Sequence, residues 1–121
     1  MSLQRITNDR AQQIVKAADP TLDFVSMEPA AGSSTNDTRI LRCRTSNGEQ
    51  ERLVAKFLTD KPHLAPKIAH VSFHAALIAR DHGIPVPEHL FLDESGHVLG
   101  VPGVVSRFVQ GTQMANPTDL P

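Results

Sequence analysis

The chain has 121 residues, a formal net charge of −1, 40% hydrophobic and 21% charged residues, the size and balance of one globular domain. That charge gives no pull toward nucleic acid or an anionic membrane, and with five Phe and no Trp or Tyr the chain lacks the aromatic surfaces on which single-stranded nucleic acid stacks. No window has the apolar length of a membrane span, and no basic stretch leads into an apolar core at the N-terminus, so neither a membrane partner nor secretion is expected. The single cysteine, Cys43, has no intramolecular disulfide partner; its alternating neighbours predict a small core residue and, with it, a reducing, cytoplasmic setting.

In chain order, Thr7 or Asn8 is placed to cap a first helix running to about Ala18. Ile14, Val15 and Ala18 give it a weak apolar stripe and Pro20 stops it, which predicts a small outer helix. Leu22 to Met27 reads as a short strand, and Pro29 to Asn36 as a loop of small and hydroxyl residues. From Thr38 to Thr45 the pattern alternates, with Leu41 and Cys43 to one side and Arg42 and Arg44 to the other, as in a half-buried strand. Asn47-Gly48 supplies two residues that tolerate positive φ, so a tight type I′ turn is expected to return the chain into a strand over Glu51 to Leu58. There Leu53, Ala55 and Phe57 share one face, while Arg52, Val54, Lys56 and Leu58 share the other. A charge at Lys56, inside an apolar strand, has either solvent or an anionic ligand to meet.

Leu64 to His82 fits a helix entered near Pro66 and stopped by Gly83, with Leu64, Ile68, Val71, Ala75 and Ile78 as its apolar stripe and Phe73 and Leu77 off it. Leu53, Phe57 and Ile78 are expected in the core. The wet sector is narrow, essentially Lys67, His70, His74 and Asp81, so protein is expected on more than one side of this helix. His70 and His74 stand four apart without a third ligand nearby, which points to surface histidines rather than zinc. Pro85 and Pro87 force an extended path, followed by a strand near His89 to Leu92, a turn at Asp93-Glu94-Ser95-Gly96 and a strand ending near Phe108.

Three segments taken in order, Leu53-Val54-Ala55-Lys56, Gly83-Ile84-Pro85-Val86-Pro87 and Val104-Val105-Ser106-Arg107-Phe108-Val109-Gln110-Gly111, carry a resemblance. The stretch from about Phe24 to Thr112 resembles the N-terminal lobe of the aminoglycoside phosphotransferase and choline kinase-like group. The resemblance implies an α+β fold: a protein-kinase-like N-lobe with a small five-stranded antiparallel sheet covered by one long helix, and an N-terminal helix. Residues 1–112 would be that lobe, and residues 113–121 the start of a linker toward an absent C-terminal lobe.

The same resemblance implies ATP as the cofactor, with magnesium supplied by the absent lobe. The parent would be a phosphotransferase moving the γ-phosphoryl group to a hydroxyl of a small-molecule acceptor. This chain alone would be inactive, because the resemblance places the catalytic aspartate and the metal ligands in the other lobe. Within this chain it implies Lys56 as the cation for the α- and β-phosphates and Ser33, Ser34 and Thr35 as the phosphate-covering loop. It also implies Val54 as part of the adenine roof and the backbone of Arg107 and Val109 as the hinge contacts. One departure stands out: the group pairs its strand lysine with a glutamate on the long helix, whereas Leu64 to His82 contains no glutamate. Register from Gly83 puts Ser72 near that position, with His74 close by. The alternative reading is a non-catalytic sheet-and-helix module that binds protein, one form of it a homodimer that buries the surface a second lobe would cover, a reading that the nearly all-apolar helix supports.

Overall fold

A computed structural model describes residues 6–30 and 37–108. The described residues form α1 (Asn8–Ala18), β1 (Asp23–Pro29), β2 (Asp37–Arg44), β3 (Gln50–Phe57), α2 (Ala65–Asp81), β4 (His89–Asp93) and β5 (Gly103–Arg107). The five strands make one antiparallel sheet in the order β1-β2-β3-β5-β4. The α+β class and the five-stranded sheet are therefore as expected; the arrangement of the helices matches the expectation only loosely.

Thr7 caps α1, its Oγ1 accepting from the Arg10 N–H at 3.1 Å, with Asp9 in the first turn and Lys16 in the last, charges that suit the helix dipole. The expectation of a small outer helix is overturned. Ala11, Ile14 and Val15 are fully buried, and the last two join Leu22, Leu41, Leu53, Phe57, Leu99 and Val105 in the main core. α1 thus closes one face of the sheet, the face that Leu53, Ala55 and Phe57 share.

The β2–β3 hairpin is present, in register from Asp37 opposite Phe57 to Arg44 opposite Gln50, but its turn differs from type I′. No residue other than glycine has positive φ among the described residues, so Asn47 does not adopt it, whereas Gly48 has φ 84°. The Gly48 N–H reaches the Thr45 carbonyl at 2.9 Å and the Thr45 N–H reaches the Glu49 carbonyl at 2.8 Å. This is the three-residue loop in which an ordinary turn is followed by one left-handed glycine. One positive-φ residue suffices because the extra residue absorbs the strand twist.

At the start of β2 the alternation carries a charge inward. Arg39 and Asp37, both buried, face each other in a two-pronged ion pair, Nε to Oδ1 at 3.1 Å and Nη2 to Oδ2 at 2.9 Å. The guanidinium also lies over the Phe57 ring, 5.7 Å from its centroid. Paired geometry of this kind offsets the desolvation of two buried charges.

α2 covers the opposite face of the sheet, and only the half formed by β4 and β5: Ala65 and Ala69 pack with Leu58 and Val104, joined by Phe73 and Leu92. The sequence expectation for its buried stripe is overturned. Leu64, Ile68, Val71 and Ile78 are exposed, Ile78 at 60% rather than in the core, while Ala65, Ala69 and Ala76 are the buried positions. Small side chains let the helix sit close to the sheet, so the bulky stripe is turned outward. α2 ends in a Schellman motif, with the Gly83 N–H on the Arg80 carbonyl at 3.0 Å and the Ile84 N–H on the Ala79 carbonyl at 2.9 Å, as the Gly83 stop predicts.

Candidate functional site

The sheet face that α2 covers only in part carries Lys56 near its centre. Lys56 lies at the end of β3, between Thr38 of β2 and Val104 of β5; two residues earlier, Val54 lies between Ile40 and Ser106. Residues paired across antiparallel strands share a face, and two residues along a strand span about 7 Å. Lys56 thus stands one strand period from the half-buried aliphatic pair Ile40 and Val54. It is exposed, and its ammonium makes no ion pair or hydrogen bond among the described residues.

Two of the other cations of this face are engaged, while Arg44, at the far end of β2, is exposed. Arg42 pairs with Glu28 at 2.8 Å, and the Arg52 guanidinium lies 4.9 Å from the centroid of the Phe108 ring. A free cation beside a small aliphatic shelf fits a ligand with an anionic end and a flat, weakly polar end, the cation holding the first and the shelf the second.

β5 meets this strand at Gly103, opposite Phe57. A Cβ built on Gly103 would stand 2.2 Å from the Lys56 carbonyl oxygen and 2.8 Å from Leu99 Cδ1, so only glycine lets the two strands meet here. Gly103 thereby sets the seat of Lys56.

On α2, Ser72 falls in register with Ala69 and Ala76, which face the sheet, yet Ser72 itself is exposed. His74 is also exposed; its ring lies tilted against that of His70, centroids 4.3 Å apart, and meets Phe73 edge to face at 5.7 Å. Neither supplies an anion to Lys56. His70 Nδ1 lies 2.9 Å from Glu94 Oε2, an exposed pair of small energetic weight. Among the described residues no group of three His, Cys, Asp or Glu is arranged to hold a metal ion.

Arg107 has a role that sequence reasoning missed. Its N–H donates to the Glu88 carbonyl at 2.8 Å, which commits that group to the sheet. Its guanidinium meets three carboxylates: Glu51, Glu88 at 3.1 Å and Asp19 at 3.2 Å. Burial draws its pKa down, but Glu51, Glu88 and Asp19 outweigh burial and leave it raised. Hydrogen bonds from the Thr21 side chain and backbone, with Arg107 behind them, hold the Asp19 carboxyl below its ordinary 3.8. One side chain thus ties the end of α1 to β3, β5 and the approach to β4. The alternation of β5 alone could not show this, because the partners come from distant segments. Ser33, Ser34, Thr35 and Val109 lie outside the described residues.

Asp93 was also missed. Read from sequence as the first residue of a turn, it is buried at the end of β4 and accepts from the N–H groups of Gly96, His97, Val98 and Leu99 at 2.8 to 3.2 Å. Burial pushes its carboxyl up, yet hydrogen bonds from Leu99, Val98, Gly96 and Ser95 prevail and hold it below 3.8. The carboxylate organises the connection that drops Leu99 into the core. Cys43 is buried as expected, and burial, with Glu51 and Asp19 nearby, pushes its thiol up to about 11, which leaves it un-ionised and inert at neutral pH.

Surface hollows lie on α2 beside His74, Leu77, Ile78, Arg80 and Asp81, and at the hairpin beside Thr45, Glu49 to Arg52 and Phe108; Lys56 lines neither. Among the described residues no helix is long and apolar enough to cross a membrane. In comparisons with known proteins, no family model, no curated protein and no solved structure matches the chain.

Proposed function

We propose that the chain is the nucleotide-binding lobe of an ATP-dependent small-molecule phosphotransferase, of the kind it resembles in the aminoglycoside phosphotransferase and choline kinase-like group. The observation that carries this reading is Lys56: an exposed cation without a partner among the described residues, one strand period from the Ile40 and Val54 shelf. A nucleoside triphosphate asks for that combination, a cation at its phosphates and an apolar surface at its base. The position of Lys56 on β3, directly before α2 and on the sheet face that α2 packs against, is where the kinase pattern puts its phosphate lysine.

In this reading Lys56 contacts the α- and β-phosphates, Val54 with Ile40 supports the adenine, and Ser33, Ser34, Thr35 and the backbone of Arg107 and Val109 complete the site. For Arg107 the backbone group left to offer is its carbonyl, since the N–H is taken. Magnesium and the acceptor hydroxyl would be held by a second lobe, so these residues bind nucleotide without transferring phosphate. A cytoplasmic location suits an ATP-binding protein whose one cysteine is buried and reduced.

Isothermal titration with ATP, ADP and adenosine tests the assignment. ATP should bind more tightly than adenosine, and Lys56→Ala should weaken ATP by about tenfold or more, the loss of one charge-assisted contact, without changing adenosine binding. Equal ATP affinity in wild type and Lys56→Ala contradicts the reading.

A further inference from the structure

The outer face of α2 carries a pattern that its contacts with the sheet leave unused. Leu64, Ile68, Val71, Ala75 and Ile78 follow one another at spacings of four, three, four and three residues, the 3.5-residue repeat of a helix-to-helix seam. All five are exposed, Val71 at 55%. A helix of a single globular domain ordinarily turns such a stripe toward its own core; here Ala65, Ala69 and Ala76 take that side.

The charges beside the seam say what covers it. With Ile68 and Ala75 as the a positions and Leu64, Val71 and Ile78 as the d positions, the g positions are Lys67, His74 and Asp81, seven residues apart. Lys67 and Asp81 are exposed and form no ion pair among the described residues. When two copies of this helix run antiparallel about a two-fold axis near Phe73, Ile68 meets Ile78 of the other copy and Val71 meets its Ala75. The g positions then face each other, so Lys67 of each copy lies opposite Asp81 of the other. A parallel pair would instead set Lys67 against Ser72 and His74 against Ala79, with no charge complement.

We propose that the chain forms a two-fold homodimer through antiparallel pairing of its α2 helices. The seam supplies the buried apolar surface, and the paired Lys67 and Asp81 set the direction. The inference stands apart from the nucleotide assignment, since Lys56 lies on β3 and not on this face. A seam along one 17-residue helix is small beside the ~1,200 Å² at the low end of specific interfaces, so the dimer should dissociate reversibly on dilution.

Sedimentation velocity of the whole chain over about a hundredfold range of concentration tests this. The expected result is a reversible monomer–dimer equilibrium. Ile78→Asp should raise its dissociation constant by about tenfold or more, with the circular dichroism spectrum of the monomer unchanged because Ile78 faces solvent. Lys67→Asp and Asp81→Lys should each weaken the dimer, and the double variant Lys67→Asp with Asp81→Lys should restore it. A monomer at every concentration, a dimer indifferent to Ile78→Asp, or charge reversals without rescue each overturn the proposal. So does a monomer that uses this face only to bind lipid vesicles.

Discussion

The two faces of the sheet are built to different rules. On the α1 face, Ile14, Val15, Leu41, Leu53, Phe57 and Val105 are fully buried and form one continuous core, locked at its edges by the Arg107 carboxylate cluster and the Asp93 loop. On the α2 face the helix rests on alanines, covers β4 and β5, and leaves Lys56 and the Ile40 and Val54 shelf uncovered. A protein needs one closed core to fold; the other face is then free to hold exposed charge and apolar surface that folding does not use. Strand alternation separates the closed core from the open face here, since Phe57 and Lys56 are neighbours that belong to opposite faces.

Substitutions should break that contrast in a definite order. Phe57→Ala removes the largest fully buried side chain and should cost about 4 kcal/mol of stability, read as a lower urea midpoint; a cost below about 1 kcal/mol contradicts a closed α1-face core. Asp37→Ala deprives the buried Arg39 of its two-pronged partner and should cost about 3 kcal/mol, with Asp37→Asn intermediate. Lowering the pH should come next. Asp93 and Asp19 have folded-state pKa values below 3.8, so the stability they add is complete above the unfolded value and is lost as pH falls through the folded values, that is, below about pH 4. An Asp93→Asn variant should be less stable at pH 7 and show a shallower fall in that acid window, measured by urea titrations at successive pH values. Smallest of all, Ile78→Ala on the outer face of α2 should change the stability of the diluted monomer by less than about 0.5 kcal/mol; a loss near that of Phe57→Ala would place Ile78 in the core after all.

Much of the closed face was legible in the sequence. The first helix, its Thr7 cap and the strands around the hairpin follow from period and capping, and the separation of Lys56 from Phe57 follows from strand alternation alone. What was not legible depends on partners. Periodicity finds the apolar stripe of α2 but not whether a sheet or another molecule covers it, and the alanines that won the inner side carried no hydrophobic signal of their own. Asn47-Gly48 marks a hairpin, yet whether one or two residues adopt positive φ depends on how the strands are offset. The Arg39 burial was signalled, since Arg39 alternates onto the same side as Leu41 and Cys43, but its tolerance depends on Asp37 two residues away. The contacts of Arg107 and Asp93 join segments that no local window brings together. For the candidate site, Lys56 and Val54 could be picked from the strand, while their neighbours Ile40, Thr38 and Ser106 required the register.

The central proposal is that the uncovered half of the α2 face, and not the α1 face, receives a nucleotide. Amide chemical shifts recorded during titration with ATP test it most directly. The account predicts concentration-dependent shifts at Thr38, Ile40, Val54, Lys56 and Ser106, abolished in Lys56→Ala, with the amides of α1 unmoved. Shifts confined to the hairpin around Thr45 to Arg52, or the same shifts persisting without the lysine, would contradict it.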